Sequence, residues 1–348
     1  MMETDKSAAV RRGEELDRTA LRGYLQEIVP EVQDGLQIRQ FPGGFSNLTY
    51  LVRAGDRELI LRRAPHGANI ASAHDMSREY RVLCALDNVF APAPTPIHYC
   101  DNHSIIGADF FLMQRINGVI LRPGSTKPAM LDPEKMRGLS ESFITCLAQL
   151  HAVDTSGHEI SALGKPDGYV GRQVSGWIDR YEKSATDDIA EMEMTARWLT
   201  DNQPDSTAVA MIHNDFKYDN LVLDTDNNKK ITGVLDWEMA TVGDPLMDLG
   251  MSLAYWAEED DPAGLQNFGF THLPGNYRRM ELVNRYAQLS GRDVDNVLFY
   301  YRFGLYKLAV ILQQIYARYR AGHTEDPRFA SLIDLVRICA SQSVNRDV

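Results

Sequence analysis

The segment MIHNDFKYDNLVLD, residues 211–224, places a dense group of polar and charged side chains between short apolar runs. It fits the spacing H-x-D-x(4)-N, with His213, Asp215 and Asn220 at the three defined positions. A carboxylate can accept or align the proton of an attacking hydroxyl, and a carboxamide oxygen can bind Mg²⁺, as phosphoryl transfer requires. The segment therefore predicts Asp215 as a catalytic base, Asn220 as a metal ligand and Lys217 as a compensating charge beside the transferred phosphoryl group. A polar β-turn, or a metal-hydrolase site that uses His213 and Asp215, remains an alternative.

Two further aspartates follow this segment. Asp236 leaves the apolar run GVLDWE, 21 residues after Asp215. A carboxylate at the end of a buried strand is suited to bind Mg²⁺, since this ion prefers oxygen ligands, although a helix or turn cap would also explain it. Asp248 comes twelve residues later, in GDPLMDLG, where we expect its carboxylate to accept backbone N–H bonds and to brace the catalytic loop.

A glycine-containing turn near the N-terminus could bind phosphate. In FPGGFSNLTYLV, residues 41–52, Gly44 would let backbone N–H groups approach phosphate oxygens, and Ser46 would add a hydroxyl donor. Most turns of this composition are simple hairpins, and that interpretation stays open here.

The strand-like run ELILRRA contains a candidate phosphate-binding cation. Because side chains alternate along a strand, Ile60 and Arg62 share one face, and Arg63 points to the other. Ile60 could cover an adenine ring while Arg62 binds the phosphates, and Glu79 in the following helix SREYRV could orient that cation. An exposed arginine pair at the end of a strand is the alternative.

The apolar patterns predict an α+β fold of two domains that would position these residues. A helix over residues 13–29 is followed by the strands LQIRQF, LTYLVRAG and RELILRRA, the helix SAHDMSREYRVLCAL and the strand DFFLMQRI. These form an antiparallel sheet with one helix in a nucleotide-binding domain, residues 1–116, which ends at a hinge near residues 114–117. Residues 117–348 form a mostly helical catalytic and substrate-binding domain that contains the hairpin LVLDTDNNKKITGVLDWE.

Composition narrows the class of protein. The 348 residues are 44% hydrophobic and 24% charged, and the net charge of −12 disfavours a nucleic-acid-binding surface. The four cysteines are far apart, as expected for reduced thiols, and the polar N-terminus lacks the apolar core of a signal peptide. The most membrane-like stretch, residues 297–319, is interrupted by Arg302 and Lys307, which favours a buried helix. We therefore expect a cytoplasmic protein with no membrane or nucleic-acid partner.

The order of these features is that of protein-kinase-like phosphotransferases. HNDFKYDN followed by GVLDWEMATVGDPLMDLG resembles the aminoglycoside phosphotransferase / choline kinase family over roughly residues 36–322. LAQLHAVD, GYVGRQVSGWIDRYEKS and LAVILQQIYARYRAG narrow the resemblance to the phosphotransferase-like domain that is fused to acyl-CoA dehydrogenases in family members 10 and 11. No dehydrogenase portion is recognisable, so we expect a stand-alone relative.

The resemblance implies a bilobal kinase fold with ATP as donor and Mg²⁺ as cofactor. It implies Asp215 as base, Asn220 and Asp236 as Mg²⁺ ligands, and backbone contacts to adenine from Gln114 and Ile116. Arg62 stands where the family usually has lysine, so a planar fork replaces a point charge. By this comparison His213 and His151 are expected to be structural supports.

Three functions compete. The first is a small-molecule kinase that phosphorylates a hydroxyl group, and the second is a catalytically silent nucleotide-binding module. A protein kinase is the third, but the spacing of only twelve residues from Asp236 to Asp248 leaves little room for an activation segment. The resemblance suggests a hydroxyacyl acceptor, whereas the acidic run at residues 258–261 would suit a cationic amine unless it is a solvated loop.

Overall fold

The computed structural model describes residues 6–41, 47–65, 75–205, 207–324 and 326–348. The chain divides into two compact units. The first contains the residues up to Ile120 together with Val222–Asn227 and Ile231–Ala240, and the second contains Leu121–Leu221, Asn228–Lys230 and Thr241–Val348. The α+β architecture predicted from the sequence is confirmed, with the antiparallel sheet in the N-terminal part and most helices in the C-terminal part.

The sequence-based expectation assigned the hairpin at residues 221–238 to the second domain. Most of it belongs to the first unit by compactness. Two backbone contacts account for this: the N–H of Val119 donates to the carbonyl of Leu223 at 2.9 Å, and the N–H of Val234 donates to the carbonyl of Pro92 at 2.8 Å.

The first unit is built on a five-stranded antiparallel sheet in the order β1-β2-β3-β5-β4. Its elements are α1 (Arg18–Leu25), β1 (Leu36–Gln40), β2 (Leu48–Ala54), β3 (Arg57–Arg63), α2 (Met76–Leu86), β4 (Pro96–Cys100), α3 (His103–Ile106) and β5 (Phe110–Gln114). The predicted strands are confirmed, but α1 is shorter than the helix expected over residues 13–29. It begins at Arg18 because the Asp17 carboxylate accepts the N–H groups of Thr19 and Ala20 and caps the helix there.

Strand alternation separates the two faces of β3. Leu59 and Leu61 point into a hydrophobic core that they share with β2, β5 and α1. Ile60 and Arg62 lie on the opposite face, as predicted, and Arg62 meets α2 there. The guanidinium of Arg63 is on the core side and donates to the carbonyl of Ile106 at 2.8 Å.

The second unit is mostly helical. Its elements are α4 (Pro133–His151), α5 (His158–Ser161), α6 (Tyr169–Ser184), α7 (Ala190–Asp201), β6 (Ala210–Ile212), β9 (Thr241–Gly243), α8 (Pro245–Tyr255), α9 (Ala263–Gln266), α10 (Arg279–Ser290), α11 (Val297–Arg320) and α12 (Leu332–Asn345). The hairpin strands β7 (Leu221–Leu223) and β8 (Ile231–Val234) follow the catalytic segment in the chain. β9, which the sequence did not predict, pairs antiparallel with β6 immediately before that segment.

The long helix α11 is the centre of the second unit. It packs against α8, α12 and α6, and most of its side chains are buried, as expected for residues 297–319. Its crossing with α8 requires glycine on both helices, because a Cβ at Gly250 would lie 2.2 Å from the carbonyl oxygen of Tyr300, and one at Gly304 would lie 2.3 Å from that of Gly250. In the described part of the chain, no helix has both the length and the apolarity that crossing a membrane requires.

Candidate active site

The predicted catalytic segment is a loop between two strands. It leaves β6 at Ile212, passes through a 3₁₀ turn at Tyr218–Asn220 and enters β7 at Leu221. Asn214, at its start, has a φ of 66°, in the left-handed region that most non-glycine residues avoid. Such a conformation persists only where surrounding contacts hold it, so the supports of this loop define the site.

Asp248, in the first turn of α8, provides the main support. Its carboxylate accepts the backbone N–H of His213 at 2.6 Å and that of Asn214 at 2.7 Å, which is the bracing contact expected from the sequence. Burial alone would raise the pKa of Asp248, but the hydrogen bond from His151 and the loop N–H donors hold it below its ordinary value. Asp248 is therefore an ionised anchor inside the second unit.

Two buried histidines surround this anchor. His213 is fully buried, and its Nδ1 accepts the backbone N–H of Asp215 at 3.3 Å. The Nε2 of His151 lies 3.2 Å from the Asp248 carboxylate, and its Nδ1 lies 2.7 Å from the Tyr286 hydroxyl. Both imidazoles thus contact the loop or its anchor from within the core, which agrees with the structural roles expected for them.

Asp215, Asn220 and Lys217 come together as the spacing indicated. The amide nitrogen of Asn220 donates to both the backbone carbonyl and the Oδ2 of Asp215, each at 2.9 Å. Because its nitrogen is used in this way, the carboxamide oxygen of Asn220 faces away from Asp215. The Lys217 ammonium lies 3.1 Å from the same Oδ2 atom. The loop therefore presents one carboxylate that a carboxamide and a cation hold in place.

Lys217 also lies against Tyr255 of α8. Its ammonium is 4.7 Å from the centre of the Tyr255 ring and 4.0 Å from the carboxylate of Asp219. Burial would lower the pKa of Lys217, but Tyr255, Asp215 and Asp219 raise it well above its ordinary value. Burial raises the pKa of Asp219, against the opposing effect of Lys217. Lys217 is thus a fixed positive charge beside Asp215.

A pocket opens next to Lys217 and Asp219, with about 320 Å³ of empty space including the part that is open to solvent. Five aromatic residues line it: Phe143, Tyr218, Tyr255, Trp256 and Phe268. Lys217 and Asp219 are themselves part of the lining, and the other lining residues are Leu121, Ser252, Gly269 and Thr271. The pocket is therefore largely aromatic and carries one cation and one carboxylate at the end nearest the catalytic loop.

The first unit holds the second group of predicted site residues. The Arg62 guanidinium lies 2.9 Å from the Glu79 carboxylate of α2, and its other terminal nitrogen donates to Asp236 at 2.9 Å. Glu238 lies 3.9 Å from the same nitrogen and accepts a hydrogen bond from the Asn47 amide at 2.7 Å. The predicted cation, helix acid and strand-end carboxylate thus form one cluster, to which the structure adds Asn47 and Glu238.

Burial and charge oppose each other in this cluster. Burial would lower the pKa of Arg62, but Glu79, Asp236 and Glu238 raise it above its ordinary value. Burial raises the pKa of Glu79, while Arg62 and the backbone N–H of Trp237 oppose that change. Among the residues that the structure describes, neither the Nε of Arg62 nor the Oε2 of Glu79 has a hydrogen-bond partner, although both atoms are buried.

Asp236 has a backbone φ of 69°, which again is uncommon outside glycine. It precedes a 3₁₀ turn at Trp237–Met239 and keeps about a third of its side chain exposed. Carboxylate and carboxamide oxygens are hard ligands of the kind that Mg²⁺ takes in proteins, so Asp236 and Asn220 each fit this ion by residue type. Across the residues that the structure describes, no three or more histidine, cysteine, aspartate or glutamate side chains form a complete metal cage.

The structure describes three of the five other residues that were predicted to contact the nucleotide. Ile60 is buried on the Arg62 face of the sheet, and Ile116 packs beside Gly233. The backbone N–H of Gln114 donates to the carbonyl of Thr95 at 2.9 Å, so it is engaged within the first unit. Gly44 and Ser46 lie outside the described residues.

The acidic run at residues 258–261 agrees only in part with the solvated loop that was one interpretation, since Glu259 and Asp260 are exposed whereas Asp261 is buried. Asp261 is buried in an ion pair with Arg279, and the Arg346 guanidinium lies 2.8 Å from Asp260. Asp261 and Asp260 are therefore paired with arginines that lie 18 and 86 residues away along the chain.

The chain resembles known proteins over most of its length. Residues 37–283 match the model of the phosphotransferase enzyme family, APH. Acyl-CoA dehydrogenase family member 10 of Mus musculus is 33% identical over 90% of this chain, and family member 11 of Gallus gallus is 34% identical over 91%. The matched regions span 29% and 42% of these relatives, so the chain corresponds to less than half of either protein.

Solved structures show the same fold at lower identity. A crystal structure from Ralstonia eutropha, assigned as an aminoglycoside phosphotransferase, superposes with a TM-score of 0.79 at 24% identity and covers 95% of this chain and 99% of that one. Aminoglycoside phosphotransferase APH(4)-Ia, in a ternary complex with AMP-PNP and hygromycin B, gives 0.61 at 16% identity over 94% of this chain and 100% of that one. Choline kinase from Cryptosporidium parvum gives 0.62 at 13% identity, with coverage of 94% and 100%.

Proposed function

We propose that this chain, which belongs to the phosphotransferase enzyme family, transfers the γ-phosphoryl group of ATP to a hydroxyl group of a small molecule. The observation that carries the proposal is the Asp215 carboxylate, which Asn220 and Lys217 contact at 2.9 and 3.1 Å on a loop anchored by Asp248. A positioned carboxylate of this kind suits a base that accepts the proton of an attacking hydroxyl.

The cluster around Arg62 supports ATP as the donor. Its buried guanidinium stays positively charged and would attract phosphate oxygens, while Glu79 fixes its orientation at 2.9 Å. Ile60 lies on the same face and would cover the adenine ring. The complex of a structural relative with AMP-PNP is consistent with this donor.

Mg²⁺ would be held by the Asp236 carboxylate and the Asn220 carboxamide oxygen. When bound, the ion supplies charge that neutralises the phosphate oxygens. The chain's own residues then have separate tasks. Asp215 receives the proton of the acceptor hydroxyl, and Lys217 contributes a fixed positive charge next to that carboxylate.

For the acceptor we propose a hydroxylated small molecule, with a hydroxyacyl compound as the first candidate. The pocket beside Lys217 and Asp219 is lined mainly by aromatic rings, which bind apolar chains better than highly charged molecules. The charges of Lys217 and Asp219 nearly cancel, and two acids of the run at 258–261 are paired with arginines, so neither feature favours a polycation. The names of the dehydrogenase-fused relatives point in the same direction.

The test is a screen of the purified protein for ADP release from MgATP across amino sugars, amino alcohols and hydroxyacyl-CoA thioesters. With the best acceptor, Asp215→Asn should lower turnover by about 10²- to 10⁴-fold while MgATP still binds, because only the proton acceptor is lost. Asp226→Asn, the same substitution at an exposed hairpin position, is the matched control and should keep full turnover.

Full turnover in Asp215→Asn would show that Asp215 is not the base. If the wild-type protein binds MgATP but releases ADP with none of these acceptors and not with water, the chain is a nucleotide-binding module rather than a kinase.

A further inference from the structure

Lys307 is a buried lysine that the proposed chemistry does not use. It lies in the middle of α11, and only 3% of its surface is accessible to solvent. Charged side chains are rarely buried to this degree without specific partners, because removing an ammonium group from water is costly. Its position therefore calls for a role that compensates for this cost.

The contacts of Lys307 lead to the catalytic loop. Its ammonium donates to the backbone carbonyl of Asn214 at 3.3 Å and lies 5.4 Å from the centre of the Trp177 ring in α6. Asn214 immediately precedes Asp215, and its φ of 66° turns the chain between β6 and the base. Lys307 thus contacts the residue next to Asp215, at a backbone position whose φ most non-glycine residues avoid.

Other elements hold the same residue. The backbone N–H of Asn214 donates to Asp248 of α8, and its side-chain amide donates to the Tyr169 hydroxyl of α6 at 3.2 Å. Lys307 adds the contact from α11, on the carbonyl side. Three helices therefore hold Asn214, through its backbone N–H, its backbone carbonyl and its side-chain amide.

Charged groups on the loop, on α8 and on α6 act on the Lys307 ammonium. Asp215 on the loop and Asp248 on α8 favour its charged form, while Arg180 on α6 opposes it. Burial outweighs these effects and lowers the pKa of Lys307 to about 8, so the ammonium form predominates at neutral pH at a cost in stability. A residue kept at such a cost is better explained by function than by stability.

We propose that Lys307 is a positioning residue of the catalytic loop, which holds the Asn214 carbonyl and thereby the orientation of Asp215 for proton transfer. The inference rests on the proposed function, since it concerns the same base. It assigns no contact with substrate or nucleotide to Lys307.

The experiment compares Lys307→Met with Lys307→Arg and with Gln313→Met. Methionine removes the ammonium but keeps a flexible chain of similar length, and arginine restores a donor and a charge. Gln313 is a buried polar residue of the same helix whose amide donates to Ser184 and Thr186, away from the catalytic loop. It therefore controls for the loss of a buried polar group from α11.

Three experiments are made on each variant. The first gives kcat and KM for MgATP in the hydrolysis of ATP with water as acceptor. The second gives the rate of amide hydrogen exchange in the peptide 211–221, and the third gives the stability to unfolding by urea. We expect Lys307→Met to lower kcat by about 10- to 100-fold, the scale of a small misplacement of a catalytic group, with KM nearly unchanged. Exchange in the peptide 211–221 should accelerate, while resistance to urea should be equal or greater. Lys307→Arg should recover part of kcat, and Gln313→Met should lose stability without losing kcat.

Normal kcat and normal exchange in Lys307→Met would overturn the proposal. So would a loss of kcat that merely follows a loss of stability, as in an ordinary core defect. If the wild-type protein releases ADP from MgATP neither with water nor with any of the hydroxylated acceptors, the proposed function fails separately. Hydrogen exchange of the loop then still decides whether Lys307 positions it.

Discussion

The burial of Lys307 makes a quantitative prediction about stability and pH. Its pKa is about 8 in the folded protein, against an ordinary value of 10.5 for a lysine. Between these values the unfolded chain binds more protons than the folded one, so the free energy of unfolding rises as the pH rises through this window. The contribution of Lys307 to stability is therefore least favourable below pH 8 and improves until about pH 10.5.

The size of the effect follows from the two values. A difference of about 2.5 in pKa corresponds to about 3 kcal/mol over the whole window, at 1.36 kcal/mol for each pKa unit. The part that falls between pH 7 and pH 9 is about 1.3 kcal/mol. Lys307→Met lacks the titrating group, so wild-type stability should rise relative to this variant by about that amount between the two pH values.

Urea unfolding of wild type and Lys307→Met at pH 7 and pH 9, followed by tryptophan fluorescence and circular dichroism, measures this difference. Groups that titrate in both proteins cancel in the comparison, and Gln313→Met shows whether any buried polar loss in α11 has the same effect. Parallel pH dependence in wild type and Lys307→Met would refute the reasoning. It would mean that Lys307 keeps an ordinary pKa, which requires water or a closer carboxylate at its ammonium group.

The cluster around Arg62 gives two further predictions. Arg62→Ala should sharply raise KM for ATP and destabilise the protein, because it removes the cation that we propose binds the phosphates and leaves the Glu79 carboxylate buried without its partner. Arg63→Ala should leave KM nearly unchanged, and Arg62→Lys should recover part of the activity. Steady-state kinetics of the three variants decide this. A high KM in Arg63→Ala with a normal KM in Arg62→Ala would show that the phosphate contact lies on the other face of β3. Asp236→Ala should make ATP affinity nearly insensitive to Mg²⁺ in calorimetric titrations, whereas an unchanged magnesium dependence would leave Asp236 with only a structural role beside Arg62.

Features that depend on short-range geometry could be predicted from the sequence alone. The spacing of five residues between Asp215 and Asn220 allows one loop to bring the two side chains together, and the structure places them 2.9 Å apart. Strand alternation likewise separated Arg62 from Arg63, because neighbouring residues of a strand must point to opposite faces. In both cases the backbone conformation of one element decides the outcome.

Features that depend on how distant elements pack were not predictable. The contact of Lys307 with Asn214 spans 93 residues, and that of Asn47 with Glu238 spans 191. A lysine within an apolar helix pattern appeared only as an interruption of a membrane-like stretch. Its role depends on the rotation of α11, which the close approach of Gly250 and Gly304 determines.

The acidic run at residues 258–261 shows the same limit. Its composition is compatible with an open, solvated loop, yet Asp261 is buried against Arg279, and Arg346 neutralises Asp260. The class of chemistry could be predicted from the chain alone, because the residues that we propose perform it are close together in the chain or on one strand. Which carboxylates of the acidic run are paired follows from the fold alone, since Arg279 and Arg346 are distant from the run in the chain and only packing brings them to it.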